Sequence, residues 1–316
     1  MQILRGAGAL AGAGPAVATI GKFVVVHRGH RQLLDLVKAE ASKLGALSAV
    51  VTFDRHPLEI LAPDAVPCEL ATLDQRLEQF HEAGVDVVSV LEFTPELASL
   101  EPEEFVRRVL VDGLSARLVV VGTDFRFGRR RAGDIEVLTR LGSRMGFEVR
   151  ALDLLRHSGA EISATTIRDC VLHGDVAEAA RLMGRTYRLA GGVVAGRGAG
   201  SGLGFPTANL RASPRACMPG SGIYAARFLE SERALPGVAY VGTDPTLAPR
   251  STPGAEIHLF DFKGDLYGRR GEIEFVQRLR GDRRFESQRA LLDQMALDCE
   301  QARLVLSASV GGDPGP

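Results

Sequence analysis

Two stretches of this sequence carry backbone and side chains suited to binding phosphate. The first is His27-Arg28-Gly29-His30, which follows an apolar run and opens a helical pattern. Amides at a helix N-terminus point outward with partial positive charge, and two imidazoles can add donors. The glycine between them allows close backbone approach. By spacing alone, the same four residues also describe two histidines beside a surface turn. The second stretch runs from Gly196 through Gly198 to Gly204, with Gly at five of its nine positions, and leads into Phe205-Pro206-Thr207-Ala208-Asn209. Such a loop can wrap phosphates with its N–H groups. Thr207 and Asn209 beside it suit a Mg2+ ion shared with phosphate oxygens. No Gly-Lys-Ser/Thr follows, so the loop is not of the Walker type. Its alternative reading is a flexible connection ending in a Pro-initiated turn with two capping polar residues.

Chemistry at such positions needs rigid elements behind it. In the first half, strand-like segments at Val17 to Val26, Ala49 to Phe53, Val85 to Phe93, Leu118 to Val121 and Phe147 to Leu152 alternate with helix-like ones at Arg31 to Leu44, Leu73 to Ala83 and Pro102 to Leu110. That alternation predicts a Rossmann-like parallel sheet covered on both faces, with ligands beyond the carboxyl ends of its strands. From about Arg185 the pattern changes to short β-like runs broken by Gly and Pro: Tyr187 to Ala195, Gly222 to Leu229, Gly237 to Val241, Ala255 to Phe262 and Gly271 to Phe275. These predict a small antiparallel β-barrel, with a C-terminal helix over Ser287 to Leu306 packed on it. The expected division is an α/β domain over 1–184 and a barrel domain over 185–316, joined near Met183 to Tyr187.

The bulk properties narrow the function. A chain of 316 residues with 45% hydrophobic and 24% charged residues suits two globular domains. A formal charge of -1 argues against a nucleic-acid partner. The basic cluster Arg129-Arg130-Arg131 reads as a solvated loop or a local phosphate contact. Cys68, Cys170, Cys217 and Cys299 have no metal-ligand spacing, and a reducing compartment is expected. No apolar run is long enough to span a membrane. The Gly/Ala-rich segment up to Gly14 lacks the Leu-rich core of a signal peptide, so a cytoplasmic location is expected.

The motifs, taken together and in order, resemble those of the bifunctional riboflavin kinase/FMN adenylyltransferases, the prokaryotic FAD synthetases, from about Arg5 to Leu306. In the first half the resemblance rests on Gly21-Lys22-Phe23 with His27-Arg28-Gly29-His30, and on Thr52-Phe53-Asp54-Arg55-His56-Pro57. It continues through Gly122-Thr123-Asp124-Phe125-Arg126-Phe127-Gly128 with Gly133-Asp134, and Ile162-Ser163-Ala164-Thr165-Thr166-Ile167-Arg168. In the second half it rests on the glycine-rich loop with Gly204-Phe205-Pro206-Thr207-Ala208-Asn209, Gly222-Ile223-Tyr224 and Gly242-Thr243-Asp244-Pro245-Thr246. Glu256 to Phe262, Asp265-Leu266-Tyr267-Gly268, Leu279-Arg280 and Arg284-Phe285 also match.

The resemblance implies a nucleotidyltransferase domain followed by a riboflavin kinase domain, with ATP, riboflavin and FMN as substrates and Mg2+ as the metal. It implies nucleotide binding by Gly21, Phe23, His27, His30, Ser163 and Arg168 in the first domain. In the second it implies nucleotide binding by Gly196, Gly198, Gly204, Thr207 and Asn209, with Thr207 and Asn209 on the metal. Glu256 would be the general base toward the riboflavin 5′-hydroxyl; on the residues alone it reads equally as an outward polar residue of an alternating strand. Flavin contacts are implied for Asp54, His56, Asp124, Arg280 and Phe285.

Five positions depart from the family pattern. Val24 replaces an Asp, Val25 a Gly, Ala164 a Ser, Thr166 an Arg and Ser201 an Arg. Four of them fall in the nucleotidyltransferase motifs. They imply weakened or altered adenylyl transfer, because a lost guanidinium removes a permanent bidentate phosphate donor and a β-branched residue crowds a turn. Two other readings follow: a paralogue acting on a flavin analogue or using another nucleoside triphosphate, and a first domain that is a non-catalytic regulatory module.

Overall fold

The computed structural model describes residues 1–6, 14–153, 156–157, 160–195, 205–231, 233–242 and 254–308. Contacts divide the chain into two compact units, Met1–Pro67 with Thr72–Ile162, and Cys68–Ala71 with Ser163–Pro316.

The strands of the first unit are rich in Val and Ala, residues that suit burial on both sides of a parallel sheet. They are β1 (Gln2–Arg5), β2 (Ala16–Ile20), β3 (Leu47–Phe53), β4 (Val87–Leu91), β5 (Ala116–Gly122) and β6 (Glu148–Leu152), parallel in the order β1-β4-β3-β2-β5-β6. Helices are α1 (Arg28–Leu44), α2 (Leu58–Leu61), α3 (Leu73–Glu82), α4 (Pro95–Ser99), α5 (Pro102–Phe105) and α6 (Ile135–Met145). A π-type segment, Val106–Val111, continues α5. A short hairpin pairs β7 (Arg156–His157) with β8 (Ala160–Glu161).

Alternate side chains of a strand point to opposite faces. Ala16, Ala18, Ile20, Val51 and Val121 therefore join one core with Phe105, Leu110, Leu138 and Leu141. Val17, Val50, Val88 and Val120 join another with Leu34, Val37, Leu77 and Phe80. Strand order reverses between β2 and β5, which makes the carboxyl end of β2 a topological switch point.

The sequence-based strand over Val17 to Val26 is too long. β2 ends at Ile20, and Phe23, Val25 and Val26 are buried without joining the sheet. Their apolar character serves loop packing: Phe23 turns into the left-handed region (φ 41) and sets its ring edge-on to Phe80, with centroids 5.3 Å apart. β1 and α6 are elements that the periodicity did not announce.

In the second unit, α7 (Ala164–His173) and α8 (Val176–Met183) are capped by the side chains of Ser163 and Asp175 and end on left-handed Gly174 and Gly184. The remaining strands are β9 (Tyr187–Val194), β10 (Thr207–Ala212), β11 (Gly222–Glu230), β12 (Arg233–Gly242), β13 (Gly254–Leu259) and β14 (Arg270–Arg280). They close an antiparallel barrel in the order β10-β13-β12-β11-β14-β9. Closure leaves no free edge. Leu189, Tyr224, Phe228, Ile257 and Phe275 are fully buried.

The last helix, α9 (Gln288–Ala308), sets Ala302 and Leu306 against Ala225 and Phe260. A paired charge fixes its register: Arg280 donates from Nε to Asp298 Oδ1 at 3.0 Å and from Nη2 to Oδ2 at 2.7 Å. Gln294 Nε2 adds a third bond to Asp298 at 3.0 Å. Asp298 is only 3% exposed. Removing the cation strands a buried carboxylate, so Arg280→Met is expected to cost about 3–5 kcal/mol in urea unfolding. The double variant Arg280→Met/Asp298→Leu should recover most of that loss. A single variant within about 0.5 kcal/mol of wild type would show that the pair does not anchor the helix.

Candidate active sites

The polar residues of the first unit gather beyond the strand ends. His27 is the N-cap of α1, and its Nδ1 accepts the His30 N–H at 3.3 Å. The neutral His27 ring therefore carries its proton on Nε2. His30 Nδ1 lies 3.0 Å from the Val25 carbonyl, which can only accept, so His30 carries its proton on Nδ1. The rings stack with centroids 3.7 Å apart. Burial, then the neighbouring His30, lowers the His27 pKa to about 2. Burial lowers that of His30 to about 4, against the Val25 carbonyl, which raises it. Both rings are neutral at pH 7. Only His27 retains an N–H for an incoming anion, whereas the sequence reading had both imidazoles as donors.

The turn before α1 is fastened from behind. Arg76, on α3 and 4% exposed, donates from Nη1 to the Lys22 carbonyl at 3.3 Å and to the Phe53 carbonyl at 3.1 Å. Its Nη2 reaches the Asp54 carbonyl at 3.3 Å. Thr52 Oγ1 also donates to the Lys22 carbonyl, at 3.1 Å, and Gln79 Oε1 accepts the Val26 N–H at 2.9 Å. The loops after β2 and β3 thus share one set of donors. Gly21 is needed here, since a Cβ would stand 2.9 Å from the Phe23 ring. Sequence reasoning missed Arg76 and Gln79. Their signal is two polar residues among Leu77 and Phe80 on the buried face of α3.

The flavin-assigned residues of this unit differ in availability. Asp54 accepts the Phe93 N–H at 2.9 Å and Arg55 Nε at 2.8 Å. Burial favours its neutral form, but these donors prevail and hold its pKa low. His56 Nδ1 accepts the Leu58 N–H at 3.1 Å, so its neutral ring has the proton on Nε2. Asp124 is exposed just past β5.

In the second unit, Ser163 Oγ accepts the Thr166 N–H at 3.2 Å and lies 3.0 Å from Thr166 Oγ1. Arg168 donates from Nε to the Cys68 carbonyl at 3.0 Å.

The barrel brings three of the predicted residues together by register. Asn209 of β10 lies directly opposite Glu256 of β13, and Thr207 Oγ1 donates to Glu256 Oε2 at 3.1 Å. Opposed residues share a face, so a hydroxyl, an amide and a carboxylate form one oxygen-rich edge while Ala255 and Ile257 fill the barrel. Oxygen donors of this kind fit Mg2+, which takes few protein ligands and completes its shell with phosphate and water. Among the described residues no group of three or more His, Cys, Asp or Glu could hold a metal without such help. Gly196, Gly198 and Gly204 lie outside the described residues. Phe285 is partly buried, with the Arg280 and Arg283 guanidinium carbons 5.7 and 5.5 Å from its ring centre.

Comparison with known proteins agrees with both halves. Residues 11–166 match the FAD synthetase family and residues 183–306 the riboflavin kinase family. The bifunctional riboflavin kinase/FMN adenylyltransferase of Pseudomonas fluorescens is 40% identical over 93% of this chain and 94% of its own. That of Escherichia coli K12 is 37% identical over 96% of this chain and 97% of its own. A crystal structure described as a macrolide-efflux protein from Streptococcus pneumoniae superposes with a TM-score of 0.85 at 27% identity, covering 96% of this chain and 99% of that one. No helix among the described residues here is long and apolar enough to cross a membrane.

Neutral histidines make the first unit sensitive to acid. Their folded pKa values lie below the unfolded value of about 6.5, so the unfolded chain binds more protons once pH falls under that value. Stability is intact above pH 6.5 and declines as pH drops toward 4. For His27 alone the expected loss is on the order of 2 kcal/mol by pH 5. Denaturant unfolding at pH 7 and pH 5 should show it. His27→Asn, which preserves a capping side chain, should flatten the slope; an equally steep slope would mean that His27 is not buried neutral.

Proposed function

Because the chain belongs to the bifunctional riboflavin kinase/FMN adenylyltransferase family, we propose that it phosphorylates riboflavin to FMN and, more slowly, adenylylates FMN to FAD. The observation that carries the kinase assignment is the opposition of Asn209 and Glu256, with Thr207 bonded to the same carboxylate. Thr207 and Asn209 would hold Mg2+ against the ATP phosphates. The bound metal supplies charge neutralisation on the transferred phosphoryl group. Glu256 would take the proton of the riboflavin 5′-hydroxyl as its oxygen attacks the γ-phosphorus and ADP leaves. The Thr207 hydroxyl keeps the carboxylate oriented. The glycine-rich loop, including Gly196, Gly198 and Gly204, would wrap the phosphates.

In the first unit the α1 N-terminus and the Nε2–H of His27 would receive the triphosphate of a second ATP. Gly21 and Phe23 shape the turn, and the family resemblance gives Ser163 and Arg168 of the second unit a nucleotide-binding role as well. For the flavin we propose His56 and Asp124 as contacts in the first unit and, separately, Phe285 in the second, with Asp54 and Arg280 acting through the neighbours that they hold. The proposed domains are 1–184 and 185–316, supported by the family matches at 11–166 and 183–306.

The slower adenylyl transfer follows from the four departures. Val25 brings bulk but no strain, since the left-handed residue of its turn is Phe23. Val24 and Ala164 lack a carboxylate and a hydroxyl. At position 166 a hydroxyl near Ser163 stands where relatives of the family pattern have a guanidinium. Losing one charged hydrogen bond costs roughly 1.5–3 kcal/mol, or about 10- to 150-fold in rate if it acts in the transition state.

The test supplies riboflavin, ATP and Mg2+ and follows FMN, FAD and pyrophosphate. FMN with slower FAD formation is expected. FMN alone would assign the first unit a non-catalytic role, and poor turnover of riboflavin beside good turnover of an analogue would move the substrate. Glu256→Gln should lower kinase turnover by about 10² or more with ATP binding retained; near-normal turnover removes the general base. Restoring Asp, Gly, Ser and Arg at Val24, Val25, Ala164 and Thr166 together should raise FAD formation from FMN by at least about tenfold. An unchanged rate would show that the departures are silent.

A further inference from the structure

Cys68 and Cys217, about 150 positions apart in the sequence, are brought together in the second unit by a short parallel pairing. The Glu69 N–H donates to the Arg215 carbonyl at 2.6 Å, and the Cys217 N–H to the Glu69 carbonyl at 2.9 Å. Glu69 and Ala216 are bridge partners. Residues one step to either side of a bridge share its other face, so Cys68 and Cys217 fall on the same side. They stand diagonally across the bridge, and each is the first influence on the other's ionisation, with Arg168 as the nearby cation. The surrounding backbone is fixed: Arg168 Nε holds the Cys68 carbonyl at 3.0 Å, and the Tyr187 hydroxyl donates to the Cys217 carbonyl.

The two thiols are unlike. Cys68 is partly exposed and Cys217 fully buried. The Cys217 thiol, outweighing burial and helped by Arg168, lowers the Cys68 pKa to about 7. Cys217 is pushed well up, first by Cys68 and then by burial. Burial also raises Cys170 and Cys299. A thiolate is the nucleophile, and it reacts where it is both ionised and reachable. Cys68 meets both conditions, and Cys217 is a protonated thiol at its side.

We propose that Cys68 and Cys217 form a redox modification site that reacts with peroxides, Cys68 attacking and Cys217 resolving. The Cys68 thiolate displaces hydroxide from hydrogen peroxide; the O–O bond breaks, a sulfenic acid forms, and the hydroxide takes a proton to leave as water. The Cys217 thiol then gives up its proton as its sulfur attacks the Cys68 sulfur, the S–O bond breaks, and the departing hydroxide takes that proton to leave as a second water. Two thiols are oxidised to one disulfide while the peroxide is reduced by two electrons. A dithiol reductant restores both.

The experiment treats the full-length protein with stoichiometric hydrogen peroxide, alkylates the remaining thiols and maps the peptides by mass spectrometry. The expected product joins the Cys68 and Cys217 peptides, has lost two hydrogens, is reversed by a dithiol, and leaves Cys170 and Cys299 free. Cys68 should also be alkylated at pH 7 about tenfold faster than either of those two. Cys68→Ser should abolish the cross-link, and Cys217→Ser should leave a sulfenic acid that a dimedone probe labels. If Cys217→Ser fails to fold, the wild-type peptide map still decides. Oxidation spread over Cys170 and Cys299, or Cys68 oxidised without a link to Cys217, overturns the proposal. None of these readouts depends on the assigned catalytic activities.

Discussion

Arg76 is a permanent cation on the buried face of α3, and it is accommodated because carbonyl oxygens of two loops converge on it. Burying a charge without partners is prohibitive, so the loops after β2 and β3 must stay where their carbonyls meet the guanidinium. Conversely, those loops carry carbonyls that have left the sheet ladder and need donors. Each half of the arrangement is costly without the other. The result is that the turn leading to His27 and the segment from Asp54 to His56 share one anchor, with Gln79 fixing Val26 three residues along the same helix. The neutral, stacked histidines depend on this as well. The Val25 carbonyl that receives the His30 proton is positioned by the fastened turn.

The second unit reaches a comparable rigidity by a different route. Its oxygen-rich edge needs no buried cation, because the antiparallel register sets Asn209 against Glu256 and fixes the pair by the ladder itself. A one-residue slip of β10 would send Thr207 and Asn209 to the barrel interior and Leu210 outward. The apolar contacts of Leu210, Ala255 and Ile257 therefore hold the register of these polar residues as a by-product of filling the barrel.

Much of this was legible in the residues. The parallel sheet followed from apolar runs alternating with helical stripes, and the barrel from short runs separated by Gly and Pro. The terminal helix followed from its periodicity. What escaped has identifiable physical causes. The run from Phe23 to Val26 looks like strand because burial and pairing use the same residue types, and hydrophobicity does not say which is meant. Arg76 and Gln79 were invisible because a polar residue on a helix is ordinarily solvated, and only the fold shows that carbonyls wait beneath it. The pairing of Arg280 with Asp298 escaped too, because the two are distant enough in sequence that neither residue announces the other. The thiol pair escaped for the same reason, since no local spacing joins position 68 to position 217.

These constraints also explain how the transferase motif could diverge without loss of fold. The turn before α1 is held through the backbone, by Arg76 at Lys22, Gln79 at Val26 and the left-handed Phe23, and none of these contacts uses the side chains at 24 or 25. Val25 is buried and Val24 partly so, which turns two positions of the family's functional pattern into ordinary packing. The helix that carries Thr166 is likewise capped by Ser163, whatever follows at 164 and 166. The backbone bonds that hold the turn and the helix cap are thus independent of the side chains at these four positions, while buried Val25 adds packing of its own. The barrel has no such separation. Thr207, Asn209 and Glu256 belong to the strands whose register closes it, so the proposed kinase residues are tied to the fold in a way that the four diverged positions are not.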